Sequence, residues 1–356
     1  MVLMRGKQSA ELKKPVYITG HACTAGKKEG EGPLGSRMDL IVEDPCFGKD
    51  NWEEAESAFL KEAALLAMKK AGKKSEEVRM AFSGDLLRQM TASSFAFREL
   101  GIPYYGIFGA CSSIGAALSA AAMAVHGGFA DTVLAGCSSH FASVEKEFRF
   151  PLAYGSQRPY SASWTVTGAG AFIVDSRLSG KEAETSVSGK RTVSAPALRI
   201  RGFTTGRVKD YGVSDVFNMG AGMAPAAADT IYQALEDFQM KPEDFDCIAT
   251  GDLGAVGRDL LLGLLDKNNL DISRVHMDCG MQIYDDEKQD THAGGSGPAC
   301  SALVLSSMIL PRLESGVWQR VLFVPTGALL SQVSANEGRT IPAIAHALWI
   351  EADDQL

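Results

Sequence analysis

The chain repeats its own pattern, and this duplication constrains the fold more than any other feature of the sequence. The segment KSEEVRMAFSGDL (74–86) aligns without a gap with KPEDFDCIATGDL (241–253). Each segment predicts a turn, a buried strand and a polar corner. A second pair, ACSSIGAALSAAAMAVHGGFADTVLAGCSS (110–139) and ACSALVLSSMILPRLESGVWQRVLFVPTGA (299–328), predicts a helix, a glycine turn and a buried strand in both copies.

A helix precedes the first repeated strand in each half. Phe59 and Ala63 lie on one face of the first predicted helix, which ends at Gly72, a natural C-terminal stop. Its counterpart APAAADTIYQALEDFQM (224–240) is predicted to begin around Pro225, because proline suits the first helical turn. The glycine-rich segment within 202–231 carries no phosphate-binding motif, and we interpret it as a loop that lines a pocket or faces a dimer partner.

Alternation of helices and strands in both halves predicts an α/β fold. Two duplicated halves packed through their central helices would form a five-layered αβαβα sandwich. We expect an N-terminal half over residues 1–176 and a C-terminal half over 201–356. The polar stretch 177–200, rich in Ser and Lys, is predicted to be a connecting surface segment.

Charge and cysteine content exclude several classes of function. The formal net charge is −8 and the Lys and Arg residues are scattered, so no nucleic acid partner is expected. Seven cysteines without a CxxC pair favour reduced thiols in a cytosolic compartment and no metal site or cofactor. The polar N-terminus predicts no signal peptide, and the uncharged run 104–125 is too rich in small residues to be a transmembrane helix, so any membrane contact would be peripheral.

Cys111 opens the central helix of the first half, where free N–H groups and the helix dipole can stabilise a thiolate. The motif FGACSS, followed by FRFPLAYGSQRPYSASWTVTGAGAFIV (148–174), is similar to the thiolase fold and especially to ketoacyl-ACP synthase III. This resemblance implies that Cys111 stands where those enzymes carry their acyl-accepting nucleophile.

The second half departs from those enzymes. Where ketoacyl synthases carry a histidine at a strand end, this chain reads ATGDLG, with Asp252 at the corner. Where they carry an Asn or His turn, it reads HAGGSGPAC. A condensing enzyme needs those residues to activate the acyl group and to hold the enolate oxygen. We therefore expect no catalytic residues, although His292 lies just before the glycine turn and is the candidate substitute.

A more specific resemblance covers nearly the whole chain. The motifs ACTAGKKEGEGPLG, FSGDLL, SSHFASVEKEFRFPLAYGSQRP, MGAGMAPAAADTI, TGDLGAVG and AGGSGPACSA together resemble the stage V sporulation protein AD family. The resemblance implies a non-enzymatic thiolase-fold protein that binds dipicolinic acid (pyridine-2,6-dicarboxylate), as the acid or its calcium chelate. It further implies uptake of this ligand into the developing spore and its release at germination. The implied partners are membrane proteins of the same operon at the spore inner membrane, and the implied assembly is a homodimer.

A planar aromatic dianion needs donors for two carboxylates and an apolar slot for its ring. The N-termini of both central helices would supply N–H donors near Cys111. The predicted ligand-binding residues are Cys111, Ser112, Ser113, His140, Arg149, Tyr154, Arg158, His292, Gly294, Gly295 and Ser296.

Some of these residues have a plain structural alternative. Arg149 and Arg158 would be ordinary solvated or ion-paired side chains if they do not touch the ligand. Asp85 and Asp252 occupy equivalent corners of the repeat, where an Asp commonly accepts backbone N–H bonds; the alternative is that one of them binds calcium.

Two other functions remain open on the sequence. The chain could be an acyl-CoA or ACP condensing enzyme or acyltransferase with Cys111 as nucleophile and His292 or His140 as base. It could also be a scaffold whose pocket is vestigial.

Overall fold

The computed structural model describes residues 2–148, 157–178 and 196–353. The strands within these residues are β1 (Val2–Arg5), β2 (Ser9–Leu12), β3 (Tyr17–Gly26), β4 (Leu40–Val42), β5 (Met80–Gly84), β6 (Tyr104–Gly106), β7 (Thr132–Ser139), β8 (Trp164–Thr165), β9 (Gly168–Asp175), β10 (Ala197–Thr204), β11 (Cys247–Thr250), β12 (His276–Asp278), β13 (Gly295–Ser296), β14 (Arg320–Val324), β15 (Thr326–Ala328), β16 (Ala343–Ala345) and β17 (Ala347–Asp353).

The helices are α1 (Lys27–Gly30), α2 (Trp52–Ala71), α3 (Thr91–Leu100), α4 (Ser113–His126), α5 (Phe141–Phe148), α6 (Met219–Phe238), α7 (Gly254–Asp266), α8 (Gly280–Ile283), α9 (Asp286–Gln289), α10 (Pro298–Val304), α11 (Leu310–Glu314) and α12 (Gln332–Asn336). A π-helical turn over Leu305–Ile309 joins α10 to α11. None of the described helices combines the length and the apolar character that crossing a membrane would need.

The two halves share one sheet topology, which confirms the duplication. In the first half the strand order is β6-β5-β7-β9-β3, and in the second it is β12-β11-β14-β17-β10. In both halves the first three strands of this order run parallel. The fourth strand is antiparallel to both of its neighbours, the third and the fifth. The halves meet at β3 and β10, which pair antiparallel through Ile18–Leu198 and Tyr17–Arg199.

Five layers follow from the three apolar clusters. The central cluster contains Ile114 of α4 and Leu303 of α10, together with Phe172 of the first sheet and Phe323 of the second. An outer cluster packs α2 and α3 on the first sheet, and another packs α6 and α7 on the second. Successive residues of β14, Leu322 and Phe323, belong to different clusters, as expected for a strand buried on both faces. The predicted αβαβα sandwich is therefore confirmed.

Local sequence signals set the repeated boundaries. Asn51 caps α2 by accepting a hydrogen bond from the Glu54 N–H at 2.9 Å, and Gly72 ends it in the left-handed conformation with φ of 67°. The turn before β5 and the turn before β11 use the same cap. In the first, the Lys74 N–H donates to the Glu77 carboxylate; in the second, the Lys241 N–H donates to the Asp244 carboxylate.

Two boundaries differ from the sequence expectation. The predicted start of a helix around Pro225 is wrong: α6 begins at Met219, where Asn218 accepts a hydrogen bond from the Ala221 N–H, and Pro225 lies inside the helix. The cap residue thus sets the start, and much of the glycine-rich segment is helical rather than a loop. Strand β10 begins at Ala197, inside the stretch predicted to connect the halves, of which residues 179–195 lie outside the described part.

Candidate functional site

Cys111 lies at the floor of a half-open cleft between the two halves. The empty volume of this cleft, including its open mouth, is about 630 Å³. Mostly apolar side chains line it: Leu86, Phe108, Ala110, Cys111, Val144, Ala162, Ser163, Thr165, Val216, Phe217, Met219, Ser296, Ala328 and Leu330. Of the predicted ligand-binding residues that the structure describes, Cys111 and Ser296 are in this lining.

The backbone before Cys111 is held in an unusual conformation. Ala110 has a φ of 49°, in the left-handed region that residues with a side chain rarely adopt. A single 3₁₀ turn over Ala110–Ser112 then leads into α4. Such outliers cluster at functional sites, where the surrounding packing holds them. The strain supports the prediction that the cleft around Cys111 is the functional site.

Asp252, from the corner after β11, lies against the Cys111 thiol and accepts a hydrogen bond from it. Its Oδ2 atom also accepts hydrogen bonds from the Ser296 hydroxyl at 3.1 Å and the Gly297 N–H at 3.0 Å. Its Oδ1 atom accepts from the Thr326 hydroxyl at 3.0 Å. Asp252 is 3% exposed. It thus contacts the thiol directly, from the strand end where the resemblance to ketoacyl synthases implies a histidine.

This contact opposes nucleophilic chemistry at Cys111. Burial, and then the negative charge of Asp252, raise the pKa of the Cys111 thiol well above its usual range, against smaller stabilising effects of Gly297 and Ser296. A reactive cysteine needs the opposite surroundings, a nearby cation or a free helix terminus. Burial also raises the pKa of Asp252 to about 6, although its hydrogen bonds stabilise the carboxylate.

Asp278 holds the corner that presents Asp252. Its Oδ2 accepts hydrogen bonds from the Thr250 hydroxyl at 2.7 Å and the Leu253 N–H at 3.0 Å, and its Oδ1 accepts from the Gly254 N–H at 3.0 Å. Asp278 is 2% exposed, at the end of β12. Its role was not predicted, because nothing near residue 278 in the chain signals a partner at 250–254.

The N-terminus of α10 is already occupied. Asp252 takes the Gly297 N–H, and the Ser139 hydroxyl accepts from the Ala299 N–H at 3.3 Å. Gly297 has a φ of 99°, and a Cβ there would lie 2.8 Å from the Ser139 Oγ, so a side chain at this position would displace its neighbours. The expectation of N–H groups left free for a ligand at this terminus is therefore wrong: the fold supplies its own carboxylate.

The serines after Cys111 bond within their own turn. The Ser112 hydroxyl donates to the Gly109 carbonyl at 2.6 Å, and the Ser113 hydroxyl donates to the Ala110 carbonyl at 2.7 Å. Both residues are fully buried. They fix the strained turn that carries Cys111, and the structure does not bring them to the cleft surface.

Asp85 and Asp252 share a sequence corner but have different partners. Asp85 accepts hydrogen bonds from the Leu87 N–H at 2.9 Å and the Ser93 N–H at 2.8 Å, and so bonds within its own half. Behind it lies Glu56, fully buried, whose carboxyl accepts from the Ser138 and Ser143 hydroxyls. Burial and the charge of Asp85 raise the pKa of Glu56 to about 8.

His140 lies in an aromatic cluster rather than in the cleft lining. Its ring is 5.2 Å from those of Trp52 and Phe141, and its Nε2 is 2.8 Å from the Pro45 carbonyl. Burial lowers the pKa of His140, which favours the neutral ring.

Arg158 and His292 meet on the outer side of the cleft wall. Arg158 Nη2 donates to the Asp290 carboxylate at 2.7 Å, and its guanidinium lies over the Trp164 ring. His292 contacts the Pro159 carbonyl and the same carboxylate. The structure thus gives both side chains protein partners outside the cleft lining. Arg149 and Tyr154 lie outside the described residues.

Gly294 and Gly295 pair with a segment of the cleft wall but lie outside the lining. The Gly294 carbonyl accepts a hydrogen bond from the Trp164 N–H at 2.8 Å, and β13 pairs with β8 through Gly295–Trp164 and Ser296–Thr165. Val216, Phe217 and Met219, which precede or begin α6, also line the cleft and were not predicted individually. They belong to the glycine-rich segment that was interpreted as lining a pocket or facing a dimer partner, and their apolar character was the available signal. Among the described residues, no group of His, Cys, Asp and Glu side chains could hold a metal ion.

Comparison with known proteins agrees with this arrangement. Residues 6–351 match the family described as Stage V sporulation protein AD (SpoVAD). The Stage V sporulation protein AD of Bacillus subtilis (strain 168) is 38% identical over 348 residues, which cover 98% of each chain.

Solved structures resemble the fold at low sequence identity. A variant of OleA from Xanthomonas campestris matches 96% of this chain and 99% of its own, with 15% identity and a TM-score of 0.58. AbyA1, a tetronic acid condensing enzyme, matches 95% of this chain and 100% of its own, with 17% identity and a TM-score of 0.55. These similarities show the thiolase fold. Since the family match and the Bacillus relative both span almost the whole chain, the protein belongs to the stage V sporulation protein AD family.

Proposed function

We propose that this protein is a non-catalytic binding protein for dipicolinic acid, as the acid or its calcium chelate, and that it serves uptake into the developing spore and release at germination. The observation that carries the non-catalytic part is the Asp252 carboxylate against the Cys111 thiol. A carboxylate there disfavours the thiolate that acyl transfer requires. Membership of the sporulation family supports the biological role.

The cleft suits a small flat ligand. It is half-open and mostly apolar with a few hydroxyl groups, which is the character usual for small-molecule sites. Apolar walls from Phe108, Phe217 and Met219 would take the ring. Because Asp252 occupies the terminus of α10 and accepts the Ser296 hydroxyl, we assign a ligand carboxylate to the Thr165 hydroxyl, which also lines the cleft.

Calorimetric titration tests this assignment. Dipicolinate is added to the purified protein with calcium and, separately, with a chelator. Thr165→Val removes a cleft hydroxyl with little change of shape, and Thr340→Val removes an exposed one on the protein surface that bonds Asp210. We expect Thr165→Val to weaken binding about five-fold or more and Thr340→Val to leave it unchanged. No heat with either ligand form on the wild-type protein would overturn the proposal.

One observation favours a second candidate function. A largely apolar cleft that ends at a cysteine also fits an acyl chain, as in a condensing enzyme or acyltransferase. Intact-mass measurement after incubation with acyl-CoA separates the two functions. A Cys111 adduct that is absent in Cys111→Ser would support acyl transfer, and an unmodified protein would support the binding role.

We extend the proposal to partners and location on the basis of family membership. The protein would act with membrane proteins of the same sporulation operon, peripheral to the inner membrane of the developing spore. Spore membrane fractionation tests this: the protein should co-sediment with the inner membrane and be lost from it when the operon's membrane proteins are deleted. Recovery in the soluble fraction in both strains would contradict it.

A homodimer is also part of the proposal. Strand β6 is the outer strand of its sheet, and two aromatic side chains near it are exposed, Tyr105 by 62% and Phe108 by 51%. An open edge with exposed aromatic residues favours pairing with a second copy. Light scattering should give twice the mass of the 37.9 kDa chain, and Tyr105→Asp should shift it towards the monomer. A monomeric wild-type protein at micromolar concentration would rule the dimer out.

A further inference from the structure

The outer wall of the cleft is a short segment that pairs with residues 293–296. Residues 158–165 supply Ala162, Ser163 and Thr165 to the lining. Three backbone bonds tie this stretch and the next residue to 293–296: Ala293 N–H to the Ala162 carbonyl, Trp164 N–H to that of Gly294 and Val166 N–H to that of Ser296. The position of the wall therefore depends on how firmly these segments are joined.

Side chains join the segments at their outer end. Arg158 Nη2 donates to Asp290 at both its carboxylate, 2.7 Å, and its carbonyl, 2.9 Å. His292 Nδ1 lies 2.9 Å from the Pro159 carbonyl, and its Nε2 lies 3.0 Å from the other carboxylate oxygen of Asp290. A single carboxylate thus bridges the cation of one segment and the imidazole of the other.

The backbone of this turn is bent to make the contacts. Asp290 and His292 have φ values of 52° and 57°, in the left-handed region. Such conformations cost free energy in residues with a side chain and persist where other contacts outweigh that cost. The hydrogen bonds to Arg158 and Pro159 are those contacts.

Both ring nitrogens of His292 face acceptor atoms. A neutral imidazole carries one N–H and can satisfy only one of these acceptors, whereas the imidazolium satisfies both. The groups around it are the Asp290 carboxylate, the Arg158 guanidinium on that carboxylate, the Tyr160 ring at 5.3 Å, and Lys28, whose charge interacts with Arg158 and Asp290. The charge of a histidine changes between pH 5 and 8.

We propose that Arg158, Asp290 and His292 clamp the outer wall of the Cys111 cleft, and that the charge on His292 sets how firmly the wall is held. These are positioning residues, since they act through the wall and not on the ligand. The clamp holds the wall more firmly when both ring nitrogens of His292 carry a proton than when only one does. That a looser wall eases entry of the ligand rests on the proposed function, whereas the motion of the wall does not.

The test measures how fast Cys111 is reached from solvent. N-ethylmaleimide labels the full-length protein at pH 6 and pH 8, and peptide mass spectrometry follows Cys111. His292→Asn keeps a side-chain donor for Pro159, tolerates the left-handed backbone and loses the contact with Asp290. Asp290→Asn releases Arg158 as well. Lys288→Gln is the matched control, since it breaks an exposed ion pair on the neighbouring helix α9.

The two variants should differ in their pH dependence. Dividing each rate by the wild-type rate at the same pH cancels the ionisation of the thiol. We expect Cys111 of His292→Asn to be labelled about five-fold faster than that of the wild type at pH 6, and at the wild-type rate at pH 8. Five-fold is the change in an opening equilibrium that the loss of one hydrogen bond produces. Asp290→Asn should be faster at both pH values and Lys288→Gln at neither. Wild-type rates in both clamp variants at pH 6 would overturn the clamp.

A second measurement is needed if a variant destabilises the whole fold and not the wall alone. Labelling of the fully buried Cys279 and Cys300 reports such a failure. Hydrogen exchange on the wild-type protein then decides: the Trp164 and Ala293 amides should be less protected at pH 8 than at pH 6 after correction for the chemical exchange rate. Equal protection would overturn the clamp. Neither readout uses dipicolinate, so a failed clamp leaves the binding proposal intact, and the reverse also holds.

Discussion

The carboxylate of Asp252 lies against the thiol of Cys111, although the two residues belong to different halves of the molecule. Cys111 begins the central helix of the first half, and Asp252 follows a strand of the second. The contact exists because both central helices begin in the same cleft. It places a negative charge beside the thiol, at the strand end where the resemblance to ketoacyl synthases implied a histidine.

Removing that charge should make Cys111 more reactive. In Asp252→Asn the thiolate no longer faces a carboxylate, so the pKa of the thiol should fall toward its usual range. We expect alkylation by iodoacetamide at pH 8 to be on the order of ten-fold faster than in the wild type. Asp259→Asn, which alters an exposed carboxylate, serves as the control. An unchanged rate in Asp252→Asn would show that burial alone determines the thiol's reactivity.

Alkaline pH should destabilise the protein through Glu56. Burial, and then the charge of Asp85, raise the pKa of Glu56 from an ordinary 4.5 to about 8. The pKa of Glu56 is higher in the folded than in the unfolded state. Its contribution to the free energy of unfolding is therefore complete below about pH 4.5 and is lost as the pH rises through about 8. Glu56→Gln should therefore raise the free energy of unfolding at pH 9, by roughly 2 kcal/mol, and flatten its pH dependence. Urea unfolding at pH 6 and pH 9 measures both, and an unchanged slope would contradict the assignment.

Asp278 should contribute more to stability than an exposed aspartate in a similar bonding role. Asp278→Ala leaves the Thr250 hydroxyl and the Leu253 and Gly254 N–H groups without their buried acceptor. We expect a loss of about 2–4 kcal/mol of unfolding free energy. Asp271→Ala, which removes an exposed acceptor for the Ser273 N–H, should change little. Equal midpoints in urea for the two variants would show that the corner does not depend on Asp278.

A methyl group at Gly297 should damage both stability and the site. The φ of 99° disfavours any side chain, and the new Cβ of Gly297→Ala would lie 2.8 Å from the Ser139 Oγ, so Ser139 or the loop that carries Ser296 must shift. We expect destabilisation by about 1–3 kcal/mol and weaker dipicolinate binding. Gly263→Ala, in an open position of α7, should instead stabilise by about 0.5–1 kcal/mol. Calorimetric melting of the two variants provides the comparison.

The repeated segments predicted the architecture because local pattern decides it. The residue patterns of 74–86 and 241–253 match, so both ranges were predicted to adopt the same local structure. Each forms a capped turn followed by a parallel strand. The start of α6 was not predicted, since Pro225 is a strong local signal and the Asn218 cap two turns earlier is a weaker one.

Within the site, the residue pattern was enough to predict that Cys111 stands beside the start of a buried helix and that Asp252 follows a buried strand of the second half. The contacts of each polar residue depend on the tertiary structure. Asp85 and Asp252 occupy the same corner of the repeat, yet Asp85 bonds its own half and Asp252 crosses to the Cys111 thiol. Arg158 and His292, predicted to bind ligand, meet at Asp290 outside the cleft lining. These contacts join residues far apart in the chain, so they follow from how the halves pack and not from any local pattern.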